Sequence, residues 1–278
     1  MVAKRIAYFG PAGTFTEEAA RQHDPGAQFQ PLPSISGVAL AVASGIADEG
    51  VVPIENSLEG SVNDTLDILI RQPKLSIRRE LVLPIEHCLL VKAGVVASDI
   101  QVVYSHPQAL AQCREFLERC FPKAQLVASL STAAGVGDVK ASKVPAAAIA
   151  PFRSAALYGV EVLARGIQDN NSNRTRFAVL ADSDHAPTGR DKTSLCFSFS
   201  DDKPGLLHTV LGEFAQRGIN LAKVESRPTK QSLGEYIFLI DIHGHRQDAA
   251  VKPALDALGR HASMLKIFGS YPRWEQGK

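Results

Sequence analysis

At 278 residues the chain exceeds the usual size of a single core and reads as about two domains. Its 30 Lys and Arg nearly balance 29 Asp and Glu, and no basic run is interleaved with aromatics, so a nucleic-acid partner is not expected. No apolar stretch reaches the ~18 residues of a membrane span, and Met1-Val2-Ala3-Lys4-Arg5 leads into a strand pattern rather than a signal segment, so no membrane partner and a cytoplasmic location are expected.

From Arg5 to about Asp182 short apolar runs alternate with helical patterns. In chain order the expected elements are strand Ile6–Phe9, helix Thr14–Gln22, helix Ile35–Ser44, strand Gly50–Ile54, helix Ser61–Arg71 and strand Val102–Tyr104. Helix Pro107–Arg119, strand Gln125–Ala128, helix Ser131–Ala141, strand Ala146–Ala150, helix Phe152–Leu157 and strand Arg176–Leu180 follow. This alternation indicates α/β layers with a mainly parallel sheet. Thr14 and Glu17 form a capping-box pattern at the first helix, with Thr16 as a rival cap. Residues 181–192 have no apolar period and carry proline, glycine and charge, which marks a linker. Beyond it lie strand Thr193–Ser200, helix Pro204–Arg217, strands Asn220–Arg227 and Glu235–His243, a helix over about Ala249–Arg260, and strand Met264–Ser270. That order, βαββαβ, is a ferredoxin-like α+β unit. Pro204 suits a first helical turn, whereas Pro253 must kink or delay its helix. The expected domains are residues 1–182 and 193–274.

The four cysteines, Cys88, Cys113, Cys120 and Cys196, form no Cys-x-x-Cys pair and read as buried thiols. His243-Gly244-His245 ends a strand pattern and reads as a turn rather than a metal site.

Three polar clusters sit where strand patterns begin or end: Asn170-Asn171-Ser172-Asn173-Arg174-Thr175-Arg176-Phe177, Val52-Pro53-Ile54-Glu55-Asn56-Ser57, and Tyr104-Ser105-His106-Pro107-Gln108. Three such rims in one domain imply one pocket for a small anion. Gly10-Pro11-Ala12-Gly13-Thr14-Phe15 follows a strand and opens a helix, where phosphate loops occur. It lacks the third glycine of a dinucleotide fingerprint and a Gly-Lys-Ser/Thr ending, so a nucleotide is not expected, although its amides and Thr14 remain candidates to face an anion. Ser105 and His106 are strand neighbours on opposite faces with no Gly-x-Ser-x-Gly elbow around them, which disfavours a hydrolase triad. Ser105 fits better as a hydrogen-bond donor.

Together these segments resemble the prephenate dehydratase family over nearly the whole chain. The match runs from Gly10-Pro-Ala-Gly-Thr-Phe-Thr-Glu through Val-Pro-Ile-Glu-Asn-Ser, Ser-His-Pro-Gln-Ala-Leu-Ala-Gln-Cys and Asn-Arg-Thr-Arg-Phe. It continues into a C-terminal regulatory ACT domain carrying Pro204-Gly205-Leu206-Leu207 and Glu225-Ser226-Arg227-Pro228. The resemblance implies a bilobed, type II periplasmic-binding-protein-like catalytic fold, with lobes of roughly residues 1–75 plus the strand after Thr175, and 76–165. The active site then lies in the cleft between them. It implies Thr175 as the leading catalytic residue, Arg176 as a carboxylate binder and Phe177 as a support, with Glu55, Asn56, Ser57, Ser105, His106, Gln108 and Gln112 at the other cleft positions. Glu55 reads equally as a structural partner of Arg176 or Arg174, and His106 equally as structural.

The implied reaction is a 1,4-elimination that removes carbon dioxide and hydroxide from prephenate and restores an aromatic ring as phenylpyruvate; it needs no cofactor. L-Phenylalanine is the expected effector, held by Gly205, Leu206, Leu207, Asn220, Glu225, Ser226, Arg227 and Pro228. Side-by-side pairing of such domains implies a homodimer or homotetramer. The same residues also allow arogenate as substrate, or a non-catalytic sensor. Three departures stand out: no carboxylate at Ala128-Ser129-Leu130, Leu206 where the family more usually has alanine, and no chorismate mutase domain before strand Arg5–Phe9, which implies a monofunctional enzyme.

Overall fold

The structure, a computed structural model, describes residues 3–200, 203–230 and 235–275. Met1 and Val2 of the expected leading segment, and residues 201–202 and 231–234 of the expected ferredoxin-like domain, lie outside them. The chain begins with β1 (Arg5–Phe9), α1 (Phe15–His23), β2 (Gln28–Leu32), α2 (Ile35–Ala43), β3 (Glu49–Asn56), β4 (Gly60–Ser61), α3 (Asn63–Arg71) and β5 (Ser76–Pro84). It continues through β6 (Cys88–Val91), β7 (Val102–Ser105), α4 (Pro107–Gln112), α5 (Arg114–Cys120), β8 (Gln125–Ala128), α6 (Thr132–Ala141), β9 (Ala146–Ala150), α7 (Phe152–Tyr158), β10 (Glu161–Arg165) and β11 (Arg174–Ala181). The last part holds β12 (Asp191–Ser198), α8 (Leu206–Ala215), β13 (Leu221–Pro228), β14 (Tyr236–His243), α9 (Val251–His261) and β15 (Met264–Pro272).

Among the described residues three sheets form, in the orders β2-β1-β3-β11-β5 with β4 on β3, β10-β6-β9-β7-β8, and β13-β14-β12-β15. The chain leaves the first sheet after β5 and returns to it as β11, the double passage that a two-lobed fold requires. The expectation of a mainly parallel sheet needs correction, because the second sheet is mixed. In it β7 runs parallel to β8 and β9, reached through helical crossovers, whereas β6 is antiparallel to β9 and β10. The central strands of this sheet are buried on both faces, so β6 and β9 are unbroken apolar runs. Leu89, Val91, Val103, Ala147 and Ile149 pack with Cys113 and Leu117 on one side, and Cys88, Leu90, Val102, Ala146 and Ala148 with Val136 and Val139 on the other.

Contacts divide the chain into two compact units, Met1–Val38 with Val51–Val62 and Val82–Phe177, and Ala39–Gly50 with Asn63–Leu81 and Ala178–Lys278. In the second unit the third sheet packs one face on α8 and α9 through Leu195, Phe197, Val210, Phe214, Ile240, Leu255 and Leu258. Its other face is polar and meets the α3–β5 segment. Lys192 pairs with Glu80 at 2.8 Å, and Lys266 Nζ donates to the carbonyls of Ile70 and Gln72. Gly269 makes the closest approach: its φ is +148°, and an added Cβ would run into the Ile77 carbonyl oxygen.

Several expected helices shift for identifiable reasons. The span Pro107–Arg119 is two helices, because the Asp169 carboxylate accepts from the amides of Glu115 and Phe116 and so caps α5 separately. Helix α3 starts at Asn63 rather than Ser61, since Gly60 and Ser61 pair with Asn56 and Glu55. Helix α8 starts at Leu206 behind Gly205, not at Pro204. Pro253 delays α9 to Val251, where its missing N–H falls in the first turn. Cys88, Cys113 and Cys196 are buried as expected, but Cys120 is exposed at the end of α5. Gly269→Ala is expected to lower the melting temperature by several degrees, because neither the φ nor the Ile77 backbone accommodates a methyl group; a thermal melt of the folded variant measures it.

Candidate active site

The ends of β3 and β11 bring Asn56, Asn173, Thr175, Glu55 and Arg176 together. Asn56 sits at the last position of β3, 8% exposed, and begins a hairpin into β4 that Gly60 closes with a φ of +81°. Inside that hairpin the amides of Leu58 and Glu59 donate to Asn56 Oδ1 at 3.0 and 3.1 Å. Two backbone donors on Oδ1 fix which way the amide points, so Nδ2 is turned to β11. It donates to Asn173 Oδ1 at 2.8 Å, to Thr175 Oγ1 at 2.9 Å and to the Arg174 carbonyl at 3.2 Å.

Strand alternation places the neighbouring pair on the opposite face. There Arg176 Nη2 lies 3.0 Å from Glu55 Oε2, with the guanidinium the more buried partner. Ser57 ties the hairpin to the entry of β11: its amide donates to the Arg174 carbonyl, and its hydroxyl accepts from Arg174 N at 3.0 Å. Phe177 is buried at 2%.

From Asn173 the network runs on. Its Nδ2 donates to Gln112 Oε1 at 2.9 Å, and His87 Nε2 meets the same oxygen at 3.0 Å. Gln112 Nε2 points the other way, 3.5 Å from Glu59 Oε1. Asn173 is 1% exposed and His87 2% exposed. His87 is not among the site residues expected from sequence, and Asn173 stands there only within its polar cluster and motif, without a role. Asn173 was hidden in a turn-like polar run; the available signal for His87 was one basic side chain beside the apolar run Cys88-Leu-Leu-Val.

Other expected residues are placed elsewhere. Ser105 is fully buried, and its hydroxyl donates to the Ile149 carbonyl at 2.7 Å. His106 is the N-cap of α4, its Nδ1 accepting from Gln108 N at 3.3 Å. Gln108 and Gln112 share α4, but only Gln112 joins the network through its side chain.

Thr14 caps α1, accepting from Glu17 N and donating to the Pro11 carbonyl. The anion on the Gly10–Gly13 loop is the chain's own: Gly13 N donates to the buried Glu17 carboxylate at 2.6 Å. Burial raises the affinity of Glu17 for a proton, but the Gly13 amide, Arg21 and Arg153 outweigh it and hold the group below the usual carboxylate range. Helix α7 docks on the same loop, Ser154 Oγ donating to the Gly13 carbonyl and Tyr158 OH to the Ala12 carbonyl. At Ser129 a carboxylate is present after all: Ser129 Oγ donates to Asp138 of α6, at an exposed position.

In the third sheet, Gly205 is the left-handed N-cap of α8, with a φ of +83°. Leu206 and Leu207 are half-buried behind it, and Asn220 Nδ2 lies 3.4 Å from His243 Nδ1. Ser226 and Pro228 face outward on β13, while Glu225 pairs with Lys223. Arg227 is turned to α3, pairing with Asp67 at 3.0 Å.

Burial, partly offset by the bond to Gln112, holds the proton affinity of His87 below its ordinary value of 6.5. Between the folded value and 6.5 the unfolded chain therefore binds more protons, and stability falls as pH is lowered through that window. Denaturant unfolding at pH 7.5 and about pH 5.5 measures this, and His87→Phe is expected to flatten the slope.

Residues 6–185 match the prephenate dehydratase family and residues 197–260 the ACT domain family. The bifunctional chorismate mutase/prephenate dehydratase of Aquifex aeolicus is 41% identical over 97% of this chain and 74% of its own length. The prephenate dehydratase of Mycolicibacterium gilvum is 41% identical over 98% of this chain and 92% of its own. The crystal structure of prephenate dehydratase from Arthrobacter aurescens in complex with L-Phe superimposes with a TM-score of 0.89 at 39% identity, covering 97% of this chain and 90% of that one. A structure described as a novel type of quorum-quenching acylase also reaches 0.89, at 30% identity over 99% of this chain and 100% of that one. Relatives near 40% identity along the full alignment, and a family match over most of the residues that build the first two sheets, make this chain a member of the prephenate dehydratase family, with a C-terminal ACT domain.

Proposed function

We propose that the chain converts prephenate to phenylpyruvate, residues 1–182 forming the catalytic part and residues 193–274 a part that binds L-phenylalanine and inhibits the reaction. The observation that carries the chemistry is the direction of the Asn56 amide. Because Asn56 donates to Thr175 Oγ1, that hydroxyl is an acceptor in this bond and keeps its own proton to give. A leaving hydroxide needs such a donor. The threonine proton is tightly held in water, so its transfer has to be concerted with loss of carbon dioxide, when the departing oxygen becomes basic.

Gln112 Nε2 supplies a second neutral donor, and fixed neutral dipoles orient a dianion without neutralising the carboxylate that must leave. In this reading Arg176, its planar fork held by Glu55 on the face of β11 opposite Thr175, braces the strand end that carries the hydroxyl. Ser57 and Phe177 fix the entry of β11 that carries Thr175. Acyl transfer finds no support at Ser105, whose hydroxyl is committed to a backbone carbonyl. Burial pushes the Cys113 thiol, aided by Asp169, up to about 12, far from a reactive thiolate.

Inhibition by phenylalanine is supported by the ACT domain and by the L-Phe complex of the Arthrobacter relative. Gly205 opens α8 without a side-chain cap, a helix N-terminus proposed to take the amino-acid carboxylate, and Glu225 is the proposed partner of the amino group. Strand β13 is an edge of its sheet with Val224 51% exposed, which suits pairing with a second copy and hence a homodimer or homotetramer.

Thr175→Val keeps the shape and removes the hydroxyl. Turnover of prephenate, followed by phenylpyruvate absorbance, is expected to fall by about a hundredfold or more with the fold intact; an unchanged kcat removes Thr175 from the mechanism. Phenylalanine is expected to inhibit the full-length enzyme, and Glu225→Ala to raise the half-inhibiting concentration about tenfold or more while leaving uninhibited turnover unchanged. Equal inhibition of both proteins places the effector elsewhere.

A further inference from the structure

We infer that His87 is a positioning residue for this reaction: together with Asn173 it locks the Gln112 amide, so that Gln112 presents its NH2 group as a donor. The inference rests on the reading of Thr175 as proton donor and assigns a role to a side chain that touches neither Thr175 nor the hairpin.

Every link in the chain has a determined sense. Backbone amides of Leu58 and Glu59 donate to Asn56 Oδ1, so Asn56 Nδ2 donates to Asn173 Oδ1. Asn173 Nδ2 must then donate, and it does so to Gln112 Oε1. That oxygen is thereby an acceptor, so the His87 nitrogen 3.0 Å from it carries the proton. His87 is therefore the neutral Nε2–H tautomer, and its Nδ1 is a buried lone pair with no hydrogen-bond partner among the described residues. A proton there would place an unpaired cationic N–H in the interior, so the ring stays neutral. The ring plane is set by an edge contact with Phe15, centroids 5.7 Å apart at 75°, and the backbone by His87 N donating to Gln168 Oε1.

The chemical result is a site that offers donors. With two donors on Oε1, the Gln112 amide cannot turn over without leaving both unpaired, so its NH2 group stays directed to the Glu59 side. At the other end Asn56 leaves Thr175 with a proton to give. A dianionic substrate meets N–H and O–H groups rather than amide oxygens, which would repel it. A hydrophobic residue at position 87 would fill the space but leave Gln112 held by Asn173 alone.

The test compares full-length His87→Phe, which keeps a ring and loses the donor, with His87→Gln, which restores an N–H at similar reach. His87→Phe is expected to lower kcat about tenfold with KM changed less than about twofold, and His87→Gln to recover most of the loss. In a Gln112→Ala background His87→Phe should cost little more, since the group it positions is gone. Full turnover in His87→Phe, or an equal loss in the Gln112→Ala background, overturns the inference. Ring 15N shifts of His87 in the unmodified protein give a readout that needs no variant: the Nε2–H tautomer is expected, and Nδ1–H overturns it. If Thr175→Val is inactive while His87→Phe is fully active, only this inference fails; if Thr175→Val is fully active, the reading beneath it fails.

Discussion

An amide side chain is nearly symmetric in shape and opposite in chemistry at its two ends, and the site depends on which end of Asn56 faces β11. The hairpin decides it. Leu58 and Glu59 can both donate to Oδ1 only because Gly60 takes a positive φ and returns the chain to pair with Asn56. From that turn, neutral donors are set at Thr175 and Gln112 without any buried charge in the chain itself. Directional groups held before substrate arrives need no reorganisation when charge moves, which is where such sites gain their effect.

The same stretch of chain connects to the third sheet. Helix α3 begins two residues after β4, and its Asp67 receives both Arg227 and Lys230. Burial raises the proton affinity of Asp67, but Lys230 and Arg227 outweigh it and keep the carboxyl ionised below its usual range. The arginine of the Glu225–Pro228 motif is thus engaged within the protein, while Ser226 and Pro228 face out. The polar face of the third sheet is built for this contact, and it explains why α3 and part of β5 cluster with the C-terminal residues rather than with the strands they follow.

Legibility in the sequence followed burial. Strands buried on one or both faces, such as β1, β3, β9 and β11, have apolar runs that stand out, and the βαββαβ order was readable because its helices present one apolar face. Strands β2, β5 and β10 escaped because they are sheet edges: Gln28-Phe-Gln-Pro-Leu is mostly exposed, and Ser76–Pro84 carries Arg78 and Glu80 for its partners. The short apolar run of β6 also went unread. The break at Cys113 was invisible because its cause, Asp169, is distant in sequence. The motif residues Asn56, Thr175, Arg176 and Gln112 were found by resemblance, whereas Asn173 and His87 gain meaning only from contacts that cross 61 and 25 residues of chain. Ser105, His106 and Thr14 carry the right chemistry at positions where the backbone uses it first.

Asn56 is followed by Ser57, a pair in which the second residue's amide nitrogen can attack the asparagine carbonyl, close a five-membered imide and release ammonia. Here that nitrogen donates to the Arg174 carbonyl at 2.9 Å, and the asparagine carbonyl oxygen is held by two amides. Ring closure would have to break all three bonds and rotate a strand end. The hairpin that orients Asn56 thus also slows its ageing to aspartate, an exchange of one heavy atom that would turn the donor facing Thr175 into an acceptor and silence the site while leaving the fold unaltered.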